Sequence, residues 1–120
     1  MNLPGAVKTI WCSWSFEVET VKKVEFEVEE REEYTIIHFE LRDVLSPEAL
    51  RDMEPPQVKG TKGVVLSGRG PVWLYCFLAH HYHPTLFVAT YDPRLGGAVI
   101  VESYSPNYKV GEILKVELEG

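Results

Sequence analysis

Three short clusters in this chain carry residue types that do chemistry. The first is Ser67-Gly68-Arg69-Gly70-Pro71, directly after the apolar run Val64-Val65-Leu66. Gly68 and Gly70 let backbone N–H groups approach a ligand, and Pro71 suits the first turn of a following helix. A helix start presents unpaired donors and the positive end of its dipole, so this loop could hold an anion. Arg69 could grip a phosphate with two parallel donors, and Ser67 could add a hydrogen bond. A structural turn with an exposed arginine is the alternative.

The second cluster is Asp92-Pro93-Arg94-Leu95-Gly96-Gly97. Asp92 could serve as a metal ligand or general base, and Arg94 could bind phosphate. Asp-Pro followed by Gly-Gly is also ordinary turn chemistry, with Asp92 simply pairing with Arg94. On the residues alone the turn is favoured. The third cluster is His80-His81-Tyr82-His83. His80 and His83, three apart, share one helix face and could bind a metal or move protons. Helix termination is the commoner use of such residues, and Pro84 fits it. His38 falls by alternation in a strand.

The elements around these clusters follow from hydrophobic periodicity. Trp14, Phe16 and Val18 alternate with polar residues, which predicts a strand within an N-terminal extension, residues 1–22. A two-residue period on either side of Glu29-Glu30-Arg31-Glu32-Glu33 predicts a β-hairpin over 23–41. Ser46-Pro47-Glu48 predicts a short helix with Ser46 as N-cap. Residues 64–67 and 86–91 read as buried strands flanking a helix from Val72 to His83, apolar nearly all round and therefore mostly buried, with Cys76 as a small core residue. Strands are predicted again at 98–103 and 113–118. The class is α/β: a small mixed sheet with a β-α-β unit, in one domain over 23–120. The β-α-β strands should be parallel.

That layout sets a distance. A helix over 72–83 is on the order of 18 Å long. Arg69 sits at its start and His83 at its end, and the next strand carries Asp92 and Arg94 back to the first end. Tyr104, after the following strand, should fall beside the histidines. A single copy cannot bring His83 to a ligand held by Arg69, Asp92 and Arg94. Either the clusters are unrelated or two copies share one site.

Composition sets outer bounds. Across 120 residues, 45% are hydrophobic and 25% charged, as in a globular core. The formal charge is −6, but the acid is concentrated in residues 1–59 and the balance over 60–110 is positive. This suits a small phosphate ligand held by a few placed groups and disfavours a DNA duplex. The 2 cysteines have neither disulfide nor metal-site spacing. No signal peptide or spanning apolar stretch is seen, so the expectation is a cytoplasmic protein with no membrane role.

The run Gly63-Val64-Val65-Leu66-Ser67-Gly68-Arg69-Gly70-Pro71-Val72-Trp73-Leu74, followed by Cys76-Phe77-Leu78-Ala79-His80, Tyr82-His83, Phe87-Val88-Ala89 and Tyr91-Asp92-Pro93-Arg94-Leu95-Gly96, resembles one family. It is similar to the small CRISPR-associated ring nucleases first described as manganese-dependent RNA deadenylases, of the CRISPR-associated Rossmann-fold superfamily. The resemblance covers roughly residues 24–118. It implies a Rossmann-like fold and a homodimer that assembles into a homotetramer around cyclic tetra-adenylate. It implies cleavage of that second messenger and of short adenosine-rich RNA. It also implies His83 and Asp92 as catalytic residues, and Ser67, Gly68, Arg69, Gly70 and Arg94 as ligand-binding residues. Manganese would be held by His80, His83 and Asp92. A sensor that binds the ligand without cutting it is the alternative. Pro84 and Tyr104 depart from the family pattern, standing where relatives carry histidine.

Overall fold

The computed structural model describes residues 7–13 and 22–118. Seven strands form a single sheet in sequential order: β1 Val7–Ser13, β2 Lys22–Glu30, β3 Tyr34–Leu41, β4 Gly63–Gly68, β5 Phe87–Asp92, β6 Gly97–Ser103 and β7 Ile113–Lys115. β3, β4 and β5 are parallel neighbours, and every other pairing is antiparallel. The hairpin β2–β3 forms as the alternation of glutamate with Val24, Phe26 and Val28 requires, since these three side chains are buried. The alternating stretch around Trp14 and Phe16 lies outside the described residues. The strand described in the N-terminal extension is β1, which pairs with β2.

Between the parallel strands lie a 3-10 helix, Pro47–Asp52, and one α-helix, α1, Val72–His81. Both pack on the same face of the sheet, over Phe26, Phe39, Leu66 and Val88. The opposite face, with Ile36, Val65, Phe87 and Ile100, is closed by Tyr108, Val116 and Leu118 from the loop and tail around β7. The molecule is mostly sheet, and the α/β class holds in that coarse form; Rossmann-like winding remains an expectation of the resemblance.

Several local expectations need correction. Ser46 caps nothing, because its hydroxyl turns to the Glu48 carboxylate at 2.6 Å. α1 stops at His81, two residues early. The Tyr82 ring is buried, with its hydroxyl donating to the Pro56 carbonyl at 2.6 Å, and Thr85 closes the turn onto the Tyr82 carbonyl. α1 is also not mostly buried. Only Leu74 and Leu78 are fully covered, while Val72 is 78% exposed and Cys76 is exposed rather than in the core. An apolar helix lying on one sheet, with no further layer above it among the described residues, keeps its outer face uncovered. β7 ends at Lys115, short of the predicted 118.

Candidate functional site

The parallel run β3-β4-β5 brings three carboxyl ends to one edge of the sheet, where loops of α/β folds bind ligands. β4 ends at Gly68, whose φ of 154° lies outside the region other residues favour. A Cβ there would collide with the Phe39 carbonyl oxygen, so glycine is what lets β4 run this close to β3. Tyr75 on the first turns of α1 pins the loop from the other side. Its hydroxyl donates to the Gly68 carbonyl at 2.6 Å, and its ring meets Phe39 edge-on. Burial pushes the Tyr75 phenol up from its ordinary value. Neither role was visible in the sequence, because both depend on pairing between distant segments.

From this fixed base Arg69 projects exposed, with no hydrogen-bonding or ionic partner among the described residues. Gly70 is exposed beside it. Ser67 behaves differently from the expectation. It is only 4% exposed, and its hydroxyl lies 3.3 Å from Nδ1 of His38, its direct neighbour on β3. The ring, and not the hydroxyl, is the half-buried polar group at that level of the sheet. His38 thus joins the loop across 29 residues of sequence, a contact only the parallel register reveals.

β5 delivers the second loop to the same edge. The Arg94 backbone N–H and Nε donate to Oδ1 of Asp92 at 2.9 and 3.2 Å, and Nη2 donates to Oδ2 at 3.1 Å. The local turn pairing is therefore real. These hydrogen bonds hold the Asp92 carboxyl below its ordinary value and raise the Arg94 guanidinium. A carboxylate so stabilised is a poor proton acceptor and a good fixed anion.

The histidines lie at the other end. The His80 and His83 rings stack at 5.6 Å between centroids, although His83 lies past the end of α1 and the two do not share a helix face. Nδ1 of His83 is 3.2 Å from the Tyr104 hydroxyl, and Tyr104 is tied by its N–H to the Leu86 carbonyl at the start of β5. His81 stands apart, edge-on to Tyr82, its imidazole pushed down by burial and by His80. From Phe87 to Asp92 the strand advances roughly 17 Å at about 3.3 Å per residue, and α1 spans about 15 Å. One copy therefore brings together Gly68, Arg69, Asp92 and Arg94 at one end, and His80, His83 and Tyr104 at the other.

This division bears on manganese. No group of three metal-ligating side chains forms among the described residues. His80, His83 and Asp92 do not converge within one chain, so a single copy does not fit the ion. No described helix is long and apolar enough to cross a membrane.

A family model described as CRISPR-associated protein (Cas_csx3) matches residues 38–115, from His38 to the end of β7. An uncharacterized protein of Aquifex aeolicus (strain VF5) is 49% identical over 102 residues, covering 82% of this chain and 86% of its own length.

Proposed function

Because the chain belongs to the CRISPR-associated Cas_csx3 family, we propose that it is a ring nuclease, a phosphodiesterase that opens cyclic tetra-adenylate and so switches off the second messenger of type III CRISPR defence. Trimming of 3′ adenosines from RNA is a secondary activity in this reading. The observation that carries it is the polarity of the β4-α1-β5 unit, with guanidiniums at one end and stacked imidazoles at the other. A homotetramer in which one dimer faces another would set the Arg69 and Asp92 end of one against the His83 end of the other.

In such a site Arg69 and Arg94 hold phosphate oxygens, with Asp92 fixing the Arg94 fork. The nucleophile is either the adjacent ribose 2′-hydroxyl or a water that a divalent ion would activate, and on the 2′-hydroxyl route the proton passes to the His83 imidazole. On that route the bond from phosphorus to the 5′ oxygen breaks, and that oxygen leaves as a hydroxyl with the proton returned from the His83 imidazolium, which restores the neutral ring. The products are a 2′,3′-cyclic phosphate and a 5′-hydroxyl end. Asp92 of the facing dimer stabilises the imidazolium formed on the way. A manganese ion would be held by His80 and His83 of one copy with Asp92 of the facing dimer, and would stabilise charge developing on the phosphate.

Mixing two inactive variants, His83→Ala and Asp92→Ala, tests the shared site. Where subunits exchange, mixed assemblies regain cleavage that neither variant has alone. No recovery despite demonstrated exchange would remove the shared site. Tight binding of cyclic tetra-adenylate by the wild-type chain without cleavage, with and without manganese, would replace the nuclease by a sensor.

A further inference from the structure

His83 lies just beyond α1, where the helix itself does not fix its ring. Its backbone N–H closes a short turn onto the His80 carbonyl at 3.2 Å. Two side chains supply the constraint instead. The His80 ring stacks on it with planes 24° apart, and the Tyr104 hydroxyl lies 3.2 Å from Nδ1. Stacking restricts the plane of the ring. Only the hydroxyl distinguishes its two edges, because turning the ring over replaces Nδ1 by a carbon and loses the hydrogen bond.

Tyr104 is suited to this task. Its N–H donates to the Leu86 carbonyl at 2.9 Å, which anchors it at the start of β5. Its side chain serves the core little, since the residue is 61% exposed. A phenol oxygen can accept from Nδ1–H, which leaves Nε2 unprotonated and able to take a proton.

We infer that Tyr104 is the positioning residue for His83: by occupying Nδ1 it commits Nε2 to the ligand-facing side of the shared site. The inference rests on the reading that His83 works on the ligand. The departure at position 104 is then a substitution of one orienting group for another, and not a lost function. Among the described residues, the groups that meet the His83 ring are His80 from α1 and Tyr104 from the segment after β6.

The test compares wild type with Tyr104→Phe and Tyr104→His in the full chain. Imidazole nitrogen NMR of the unliganded protein reads the orientation directly. Wild-type His83 is expected to show one tautomer, and Tyr104→Phe an averaged pair. With cyclic tetra-adenylate, Tyr104→Phe should lower kcat about tenfold, the order of one neutral hydrogen bond, while KM changes less than about twofold. Tyr104→His, which keeps a polar ring nitrogen at this place, should restore most of kcat. Unchanged His83 nitrogen signals in Tyr104→Phe would overturn the inference, as would a change confined to KM. A wild-type chain that cleaves nothing would sink the nuclease reading alone, and the nitrogen spectra would still decide the Tyr104–His83 pairing.

Discussion

Arg94 holds Asp92 through three donors at once, its backbone N–H, Nε and Nη2, all within 3.2 Å. The pair sits only two residues apart in a turn, so it forms in every copy without help from a ligand. Its first consequence is electrostatic. The side-chain and backbone hydrogen bonds from Arg94 lower the Asp92 pKa. A carboxyl with a depressed folded pKa contributes stability above its unfolded value and loses it as pH falls through the folded one. The charge at position 92 should therefore persist into acid below the usual carboxylate range. Carbon NMR titration of the Asp92 carboxyl checks this. In Arg94→Ala the midpoint should move up towards the ordinary value, and an unchanged midpoint would show that the guanidinium is not the cause.

Arg69 presents the opposite case, a cation with no partner among the described residues. An exposed side chain with no hydrogen bond or ion pair among the described residues can be removed with little disturbance of the fold. Arg69→Ala should leave the unfolding midpoint within about 0.5 kcal/mol of wild type. It should weaken binding of cyclic tetra-adenylate by roughly tenfold to a hundredfold, the size of a charge-assisted hydrogen bond. Calorimetric titration at two salt concentrations reads it, with a shallower salt dependence in the variant. Equal affinity in both proteins would remove the loop from the ligand site.

The two glycines of this loop separate in a way their identical type conceals. A Cβ on Gly68 meets the Phe39 carbonyl and ring at a φ of 154°, whereas one on Gly70 approaches Phe39 and Leu74 side chains at 3.1 and 3.2 Å. Backbone cannot move aside as side chains can. Gly68→Ala should cost about 2–4 kcal/mol and Gly70→Ala less than about 1 kcal/mol. Urea unfolding of the two variants measures the difference. Comparable midpoints would mean that β4 does not need the close approach to β3.

Much of this architecture is visible in residue order, for physical reasons that also explain the misses. Strands β2 and β3 alternate charged with apolar residues, so their period and inward faces are readable locally. The sharing of His83 and Asp92 between opposite ends follows from helix length and strand direction alone. α1 is harder. With apolar residues all round, its pattern cannot say which side meets the sheet, and Cys76 is thereby misplaced. Its end is misjudged because Tyr82 leaves the helix to reach the Pro56 carbonyl, 26 residues earlier. The contacts of Tyr75 with Gly68 and of His38 with Ser67 require tertiary pairing, which no local pattern encodes.

The last of these contacts changes what is expected of Ser67. Its residue is 4% exposed, and its hydroxyl faces Nδ1 of His38 at 3.3 Å, so it is an internal partner before it is a ligand contact. Ser67→Ala should lower stability by about 1 kcal/mol, the usual net worth of such a bond. His38→Ala leaves the buried hydroxyl unpaired, which costs about 1–3 kcal/mol. Because the two share one bond, the double variant should lose less than the singles added together. Ligand affinity should fall less than about threefold in Ser67→Ala, far short of the effect at Arg69. Stability is read by denaturant unfolding and affinity by calorimetry. A loss of affinity in Ser67→Ala as large as in Arg69→Ala would mean that the hydroxyl turns away from His38 and reaches the ligand itself.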